Sequence, residues 1–286
     1  MAGMSAHPGG LVLCPTPIGN LEDITLRALT ELRQADVVLA EDSRRTSILL
    51  RHHGIAQVPW SYHDHNERER LPQVLERLGR GERVILVSDA GTPGLADPGF
   101  RLVRAAVDAG ISVTALPGPN ALLPALTLSA LPTHAFAFHG FVPRADQARR
   151  AALARGLEQG LTSVWYESPR RLVDTLQTLV DLGHASLAAA VARELSKIHE
   201  EVCRGTVAEL LQHFVEAEPR GEVVLCLAPP VPAPQDLAGA LQHVRELCAE
   251  GMGPAQAAAR VARASGLGKR ALYTALLEAE REQPGR

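Results

Sequence analysis

The stretch 84-VILVSDAGTPGLADPGF-100 decides the fold. Four apolar residues, Val84 to Val87, run without a polar break into Ser88-Asp89 and a loop holding Gly91, Pro93, Gly94, Pro98 and Gly99. A short apolar run bounded by turn residues reads as a strand covered on both faces. Glycine lets backbone approach a ligand closely and proline fixes the turn, so a buried strand ending this way marks a binding edge.

Outward from this strand the same grammar repeats. Leu11–Leu13, Val37–Ala40 and Ser112–Leu116 read as strands. Between them, 24-ITLRALTELRQA-35 reads as a helix with Leu26, Leu29 and Leu32 on one face and Asp23 as N-cap. Further helices are expected around Leu71–Leu78 and over 99-GFRLVRAAVDAG-110. Strands alternating with helices and no hairpin turns imply a mostly parallel sheet covered on both faces. A second α/β region follows, with strands at Ala135–Phe138, Ser163–Tyr166, Leu187–Ala192 and Glu222–Ala228 and helices at Leu172–Leu182 and Val207–Ala217. The predicted organisation is an N-terminal α/β domain over 1–120, a second over 121–228, a proline-rich linker over 229–235 and a helical C-terminal extension over 236–286. The fold class is α/β: two α/β domains with mostly parallel or mixed sheets, plus that small extension. Within the extension, helices are expected at Asp236–Glu250, Pro254–Ser265 and Lys269–Glu280. The last two, joined through 265-SGLG-268, resemble a helix-turn-helix, although an ordinary helical hairpin is the commoner reading.

Composition narrows the function. The 286 residues are 46% hydrophobic and 3% aromatic, with a formal net charge of −3. Scarce aromatics argue against binding single strands by stacking bases on a row of rings. A net-negative chain has no global field for polyanions, so such a partner must meet a local basic patch. Two of the 29 basic residues are lysines and the rest arginines, a bias that keeps a bidentate grip on phosphate. Cys14, Cys203, Cys226 and Cys248 lie far apart with no C-x-x-C, which fits a reducing compartment and gives no metal-site spacing. MAGMSAHPGG lacks the features of a signal peptide, and no apolar run reaches the ~18 residues of a membrane span. A soluble, cytoplasmic protein without metal or membrane partner is expected.

Ligands of open parallel sheets sit beyond the carboxyl ends of the strands. There the chain places 15-PTPIGNLEDIT-25, 41-EDSRRT-46, 88-SDAGTPGLADPGF-100 and 117-PGPNALLPAL-126. Four such loops on one edge describe a pocket floored by backbone groups. None is a phosphate fingerprint: there is no G-x-x-x-x-G-K-[ST], and no G-x-G-x-x-G between a strand and a helix. A ligand carrying adenosine without phosphate fits this edge better than a dinucleotide or triphosphate.

The motifs TPIGN (16–20), AEDSRRT (40–46), SYHDHNE (61–67), SDAGTP (88–93), DPGFRLV (97–103), PGPNA (117–121), YESPRRL (166–172) and ARELSKIHEE (192–201) come in order. Together they closely resemble the ribosomal RNA small subunit methyltransferase I family, similar in fold to the tetrapyrrole methylases. The resemblance runs from about Leu11 to Ala228, and more loosely through the tail. It implies two α/β domains with S-adenosylmethionine between them, a homodimer, and methylation of the ribose 2′-oxygen of a cytidine in the decoding region of 16S ribosomal RNA within the small ribosomal subunit. Thr16-Pro17-Ile18-Gly19-Asn20 stands where tetrapyrrole relatives carry a glycine-richer loop, favouring RNA over a corrinoid. Departures are Cys14, Asn120 and Ser196, where a small apolar residue, serine and threonine are commoner.

Transfer to a hydroxyl needs positioning and a proton acceptor, the latter worth about 10²–10⁴-fold. The wider set of candidates is Glu22, Asp23, Asp42, His63, His65, Glu167, Glu194 and Lys197; Asp42, Glu167 and Lys197 are the catalytic choices. The cofactor-binding choices are Pro17, Gly19, Asp89, Ala90, Gly91, Pro93, Pro119, Asn120, Ala121, Tyr166 and Ala192. RNA phosphates are assigned to Arg44, Arg45, Arg170, Arg171, Arg193 and Arg204. Two other readings stay open: a tetrapyrrole C-methyltransferase, and a non-catalytic RNA-binding regulator using its helical tail.

Overall fold

The computed structural model describes residues 9–217, 220–230, 237–249, 251–265 and 267–281. They form two compact units that divide between Pro229 and Pro230.

The first unit holds two five-stranded sheets. In the N-terminal sheet, strands β1 (Gly10–Cys14), β2 (Val37–Ala40), β3 (Trp60–Ser61), β4 (Arg83–Val87) and β5 (Val113–Ala115) are all parallel, in the order β3-β2-β4-β1-β5. Helices α1 (Leu26–Gln34), α2 (Ser43–His52), α3 (Glu67–Gly79) and α4 (Phe100–Asp108) cover it. Their apolar stripes meet the two sheet faces in two separate cores, one around Leu32, Val38, Leu50 and Ile85, the other around Leu11, Leu39, Leu86 and Leu102. Alternate strand residues thus serve opposite faces, which is why the strands read as unbroken apolar runs.

The second sheet is mixed. Strands β6 (Phe136–Phe141), β7 (Thr162–Glu167), β8 (Ala188–Arg193), β9 (Glu201–Thr206) and β10 (Val223–Leu227) run in the order β6-β7-β10-β8-β9; only β6 and β7 pair in parallel. Helices α6 (Asp146–Glu158), α7 (Pro169–Asp181) and α8 (Val207–Glu216) pack on one face through Leu153, Leu172, Leu176, Leu179, Leu210 and Phe214. On the other face α5 (Leu122–Leu128) sets Leu122, Ala125 and Leu126 against Ala190, Ala192 and Val224. Ile18 and Leu95, from loops of the first sheet, join that cluster, so the two sheets share a core.

The second unit is a three-helix cluster of α9 (Leu237–Ala249), α10 (Pro254–Ser265) and α11 (Lys269–Arg281). Ala240, Val244, Leu247, Ala257, Ala258, Val261, Leu272 and Leu276 make its core. Of the expected linker, positions 231–235 lie outside the described residues.

Four expectations change, the first being that 122–126, read as part of the loop 117–126, lie in helix α5. The N-cap of α1 is Thr25, whose hydroxyl accepts from the Ala28 N–H, while Asp23 sits in a 3-10 turn capped by Asn20. Residues 43–46, read as part of the loop 41–46, instead open α2 (Ser43–His52), capped by the Asp42 carboxylate. Strands β3 and β9 were not foreseen; both are sheet edges, where short or charged strands escape the apolar signal.

Candidate active site

Strands β1 and β4 are neighbours, and the loops after them are tied together. Thr16 and Gly91 exchange two backbone hydrogen bonds of 2.9 Å, and the Thr16 hydroxyl donates to the Ser88 carbonyl at 3.0 Å. Gly91 holds φ +88°, a conformation costly for any side chain. Thr92 donates to the Pro119 carbonyl at 3.2 Å, linking in the loop after β5. The carboxyl end of the first sheet is therefore one continuous floor.

Above it lies a cleft of about 450 Å³, within the range of small-molecule sites. The first sheet contributes Ile18, Glu41, Arg45, Asp89, Gly91, Thr92, Leu95 and Asp97. The second lobe contributes Ala121, Phe141, Tyr166, Glu167, Ser168, Pro169 and the turn Gly221–Val223. Tyr166 stacks edge-on against both Phe138 and Phe141, giving the cleft an aromatic wall.

Its charge is predominantly acidic. Burial, then the nearby charges of Glu41, Asp89 and Asp64, push the Asp97 carboxyl up to about 7 despite a hydrogen bond from Ser88. Burial and the charge of Asp89 also raise Glu41, against the opposing pull of His63 and Arg45. The Tyr166 hydroxyl is raised to about 12, by burial first and by Asp97 second. Such mutual repulsion persists where a cation is meant to enter. Arg45 is the one basic side chain among the lining residues, 3.7 Å from Asp89.

The catalytic candidates occupy other roles. Glu167 is 2% exposed, and both oxygens are taken: one accepts from the Ser168 N–H and pairs with Arg171, each at 2.6 Å, and the other accepts from Thr175 at 2.6 Å. It fastens β7 to α7. Asp42 caps α2 and chelates Arg44, bonds that lower its carboxyl to about 2, too weak a base for a hydroxyl. Its N–H donates to Asp89 at 2.8 Å, orienting that cleft acid. Lys197 donates to Glu194 at 2.8 Å and to Glu222 at 3.4 Å. Burial works against its charge, but the Glu194 hydrogen bond and the two carboxylates outweigh it, so its proton affinity rises and the ammonium persists.

That lysine belongs to a junction between the lobes. Its stem lies so close to Gly19 that a Cβ there would overlap it. Ser196 donates to Asp23, and Glu194 accepts from the Glu222 N–H at 3.0 Å. Glu194 and Ser196 hold positive φ of 50° and 65°, and a Cβ on Gly221 would overlap the Glu194 carboxylate. Strain of this kind persists where the surroundings over-determine it.

Among the cofactor candidates, Asp89, Ala90, Gly91, Ala121 and Tyr166 line the cleft. Pro17, Gly19, Pro93, Pro119, Asn120 and Ala192 are not among the residues that line it: the Pro119 carbonyl accepts from Thr92, Asn120 accepts from the Leu123 N–H at the start of α5, and Ala192 is buried in the core beside α5. Of the arginines, Arg171, Arg193 and Arg204 are anchored within the fold, on Glu167 and the Val142 carbonyl, on Glu201, and on the Leu128 carbonyl respectively. Arg44, Arg45 and Arg170 remain exposed, next to or within the cleft lining. Glu41 and Asp97 were missed, although both lie inside quoted motifs; an acid between glycines and prolines reads as turn chemistry until the other acids are placed beside it. Away from the cleft, Glu201, Cys203 and His213 bring potential ligand atoms within 4.8 Å of one another, a grouping across β9 and α8 that sequence spacing hid.

This fold and cleft define a class. Residues 10–211 match the family model described as Tetrapyrrole (Corrin/Porphyrin) Methylases, and residues 235–280 match one described as RsmI C-terminal HTH domain. A crystal structure of diphthine synthase superposes with a TM-score of 0.61 at 16% identity, covering 76% of this chain and 89% of that one. More specifically, the chain is 43% identical to the ribosomal RNA small subunit methyltransferase I of Mesorhizobium japonicum over 94% of this chain and 91% of that protein. The Thermotoga maritima protein of the same name is 41% identical over 77% of this chain and 98% of its own length. The chain belongs to the ribosomal RNA small subunit methyltransferase I family. S-adenosylmethionine is the methyl donor of this class of enzyme, and the lining residues fit it: Glu41, Asp89 and Asp97 suit a ligand whose sulfonium, ammonium and carboxylate leave it net cationic.

Proposed function

We propose that the protein methylates the ribose 2′-oxygen of a cytidine in the decoding region of 16S ribosomal RNA, acting on the small ribosomal subunit as a homodimer. One observation carries the chemistry: an acid-lined cleft at the carboxyl ends of β1 and β4, collared by exposed arginines. Glu41, Asp89 and Asp97 would hold the cationic cofactor, with Tyr166, Phe141, Ile18 and Leu95 as walls. When bound, S-adenosylmethionine supplies an electrophilic methyl group. The chain's own work is to align the hydroxyl, exclude water and accept a proton.

Proton acceptance falls to the coupled Glu41/Asp97 pair, because both face the cleft with raised proton affinities. Asp42, Glu167 and Lys197 act instead as positioning residues: Asp42 through Asp89, Glu167 through the β7–α7 corner, Lys197 through the junction at Gly19. Arg44, Arg45 and Arg170 meet RNA phosphates at the cleft mouth, which positions the ribose without reading sequence.

The test is transfer of labelled methyl groups from S-adenosylmethionine to small ribosomal subunits from a strain lacking the enzyme, with the label mapped by nuclease digestion and mass spectrometry. Label on a cytidine ribose in the decoding region is the expected result. Cofactor binding with no label on subunits or free RNA overturns it and moves corrinoid substrates to the front.

A further inference from the structure

One segment of the helical unit carries basic residues without an acid among them. From Gly251 to Leu277 the sequence contains Arg260, Arg263, Lys269 and Arg270 and not one aspartate or glutamate. The whole chain, by contrast, has more acids than bases. A segment this long without a carboxylate leaves its cations unneutralised along the sequence and marks a local patch for a polyanion.

The fold concentrates that patch. Helix α10 ends at Ser265 and α11 begins at Lys269, and the Leu272 N–H donates to the Gly268 carbonyl at 3.1 Å as α11 begins. Each of the three helices packs on the other two through one apolar core. That is the architecture of a helix-turn-helix, with α11 in the place of the helix that faces nucleic acid. Leu272 and Leu276, one turn apart, turn one side of α11 inward. Arg270, Tyr273, Thr274 and Leu277 lie on the opposite side, and all are exposed, as is Lys269 at the start of the helix. Among the described residues no carboxylate pairs with Arg260, Lys269 or Arg270, whereas arginines of the first unit are repeatedly tied to acids or carbonyls.

We propose that the outward face of α11, with Lys269, Arg270, Tyr273 and Thr274, together with Arg260 of α10, docks on the phosphate backbone of a double-helical segment of the RNA substrate. A helix cannot enter the deep, narrow major groove of A-form RNA, so the contact is to phosphates and ribose hydroxyls across the surface rather than to base edges. Cations on a short helix face suit phosphates, and the hydroxyls of Tyr273 and Thr274 suit ribose and phosphate oxygens. The tail thus adds affinity and orientation, not chemistry. This inference rests on the RNA reading of the cleft.

The test uses the full chain, wild type against Lys269→Glu/Arg270→Glu, with circular dichroism to establish that the helices persist. Binding of a small-subunit RNA hairpin is measured by fluorescence anisotropy over a range of salt, beside S-adenosylmethionine binding by calorimetry and steady-state methyl transfer. The expected result is at least about tenfold weaker RNA binding and a salt slope shallower by one or more, because each lost phosphate contact removes about 0.7–0.9 from it. KM for RNA rises, kcat is retained and cofactor affinity is unchanged. Unchanged RNA affinity, salt slope and KM in the variant overturn the proposal; so does wild-type binding of a DNA duplex at least as tight as the RNA hairpin. If the wild-type chain itself binds no RNA and transfers no methyl group to it, the reading of the cleft fails first, and the two failures are told apart.

Discussion

Replacing Asp97 by asparagine tests the electrostatics of the cleft, because the same carboxyl governs stability and cofactor binding with opposite signs. In the free protein its pKa is about 7, against 3.8 for an unperturbed aspartate. That difference is about three units, a ceiling of roughly 4 kcal/mol at 1.36 kcal/mol per unit. The group is only half-buried, so solvent screening brings the expected effect to about 1–2 kcal/mol. The sign follows from linkage. Above pH 4 the unfolded chain ionises Asp97 while the native chain keeps its proton, so native stability falls from about pH 4 to pH 7 and levels off beyond. Asp97→Asn removes this loss. The variant is therefore expected to be about 1–2 kcal/mol more stable than wild type in urea denaturation at pH 8, and close to it at pH 4. Cofactor binding runs the other way: a cation favours the ionised carboxylate, so wild-type affinity for S-adenosylmethionine strengthens from pH 6 to pH 8. The variant binds weakly, with a flatter profile over that range. Equal stability of the two proteins at pH 8, or parallel pH profiles of binding, would refute the assignment of Asp97 as a strained cleft acid.

Glu167→Gln leaves Arg171 without its buried partner and weakens the bonds to Thr175 and Ser168, so stability is expected to fall by about 2–4 kcal/mol in thermal or urea unfolding. The fraction that stays folded should keep a kcat within tenfold of wild type, which a general base could not do. Lys197→Met removes a bridge between Glu194 and Glu222; lower stability is expected with the pH optimum of methyl transfer unmoved, because the ammonium supplies no titrating base. A shift of that optimum in the pH–rate profile returns Lys197 to a catalytic role. Gly221→Ala forces a side chain onto a φ of +83° and into the Glu194 carboxylate, for an expected loss of about 1–3 kcal/mol in the denaturation midpoint; an unchanged midpoint means the junction is not fixed as described.

The sheets were legible where strands are covered on both faces. Val37–Ala40 is buried at every position, and the apolar run of β4 names itself. The edge strand β9 was invisible: EVCRGT alternates charge with small residues and takes its strand state from its antiparallel partner β8, not from its own propensity. Helix α2 hid because SRRTSILLRH begins with arginines that read as ligand contacts, although Asp42 in front of it is a regular cap. Of the site, the floor was legible because glycine and proline loops announce close backbone approach. The identity of the working acids was not, since sequence says where a carboxylate sits along the chain and not what repels it. Asp97 acquires its proton affinity from burial first and then from Glu41, Asp89 and Asp64, which lie 56, 8 and 33 positions away. Conversely, Glu167 looked free at a strand end, and only packing shows Thr175 and Arg171 closing around it.

The charge layout also orders binding and release. Glu41, Asp89 and Asp97 favour a sulfonium over the thioether left after its methyl is gone, because the second carries one positive charge fewer. Held as proposed, the acids therefore weaken their own hold on the product. The same acids would repel RNA phosphates approaching directly. Arg45, 3.7 Å from Asp89, lies well within the ~8 Å over which charges are felt at physiological salt, and Arg44 and Arg170 are exposed nearby in sequence. On the function proposed above, an RNA backbone rests on the collar while only a ribose hydroxyl, which is neutral, reaches the acidic interior. Selectivity for a neutral nucleophile beside a cationic donor is built into the order in which the two charge layers are met, acids inside and arginines outside.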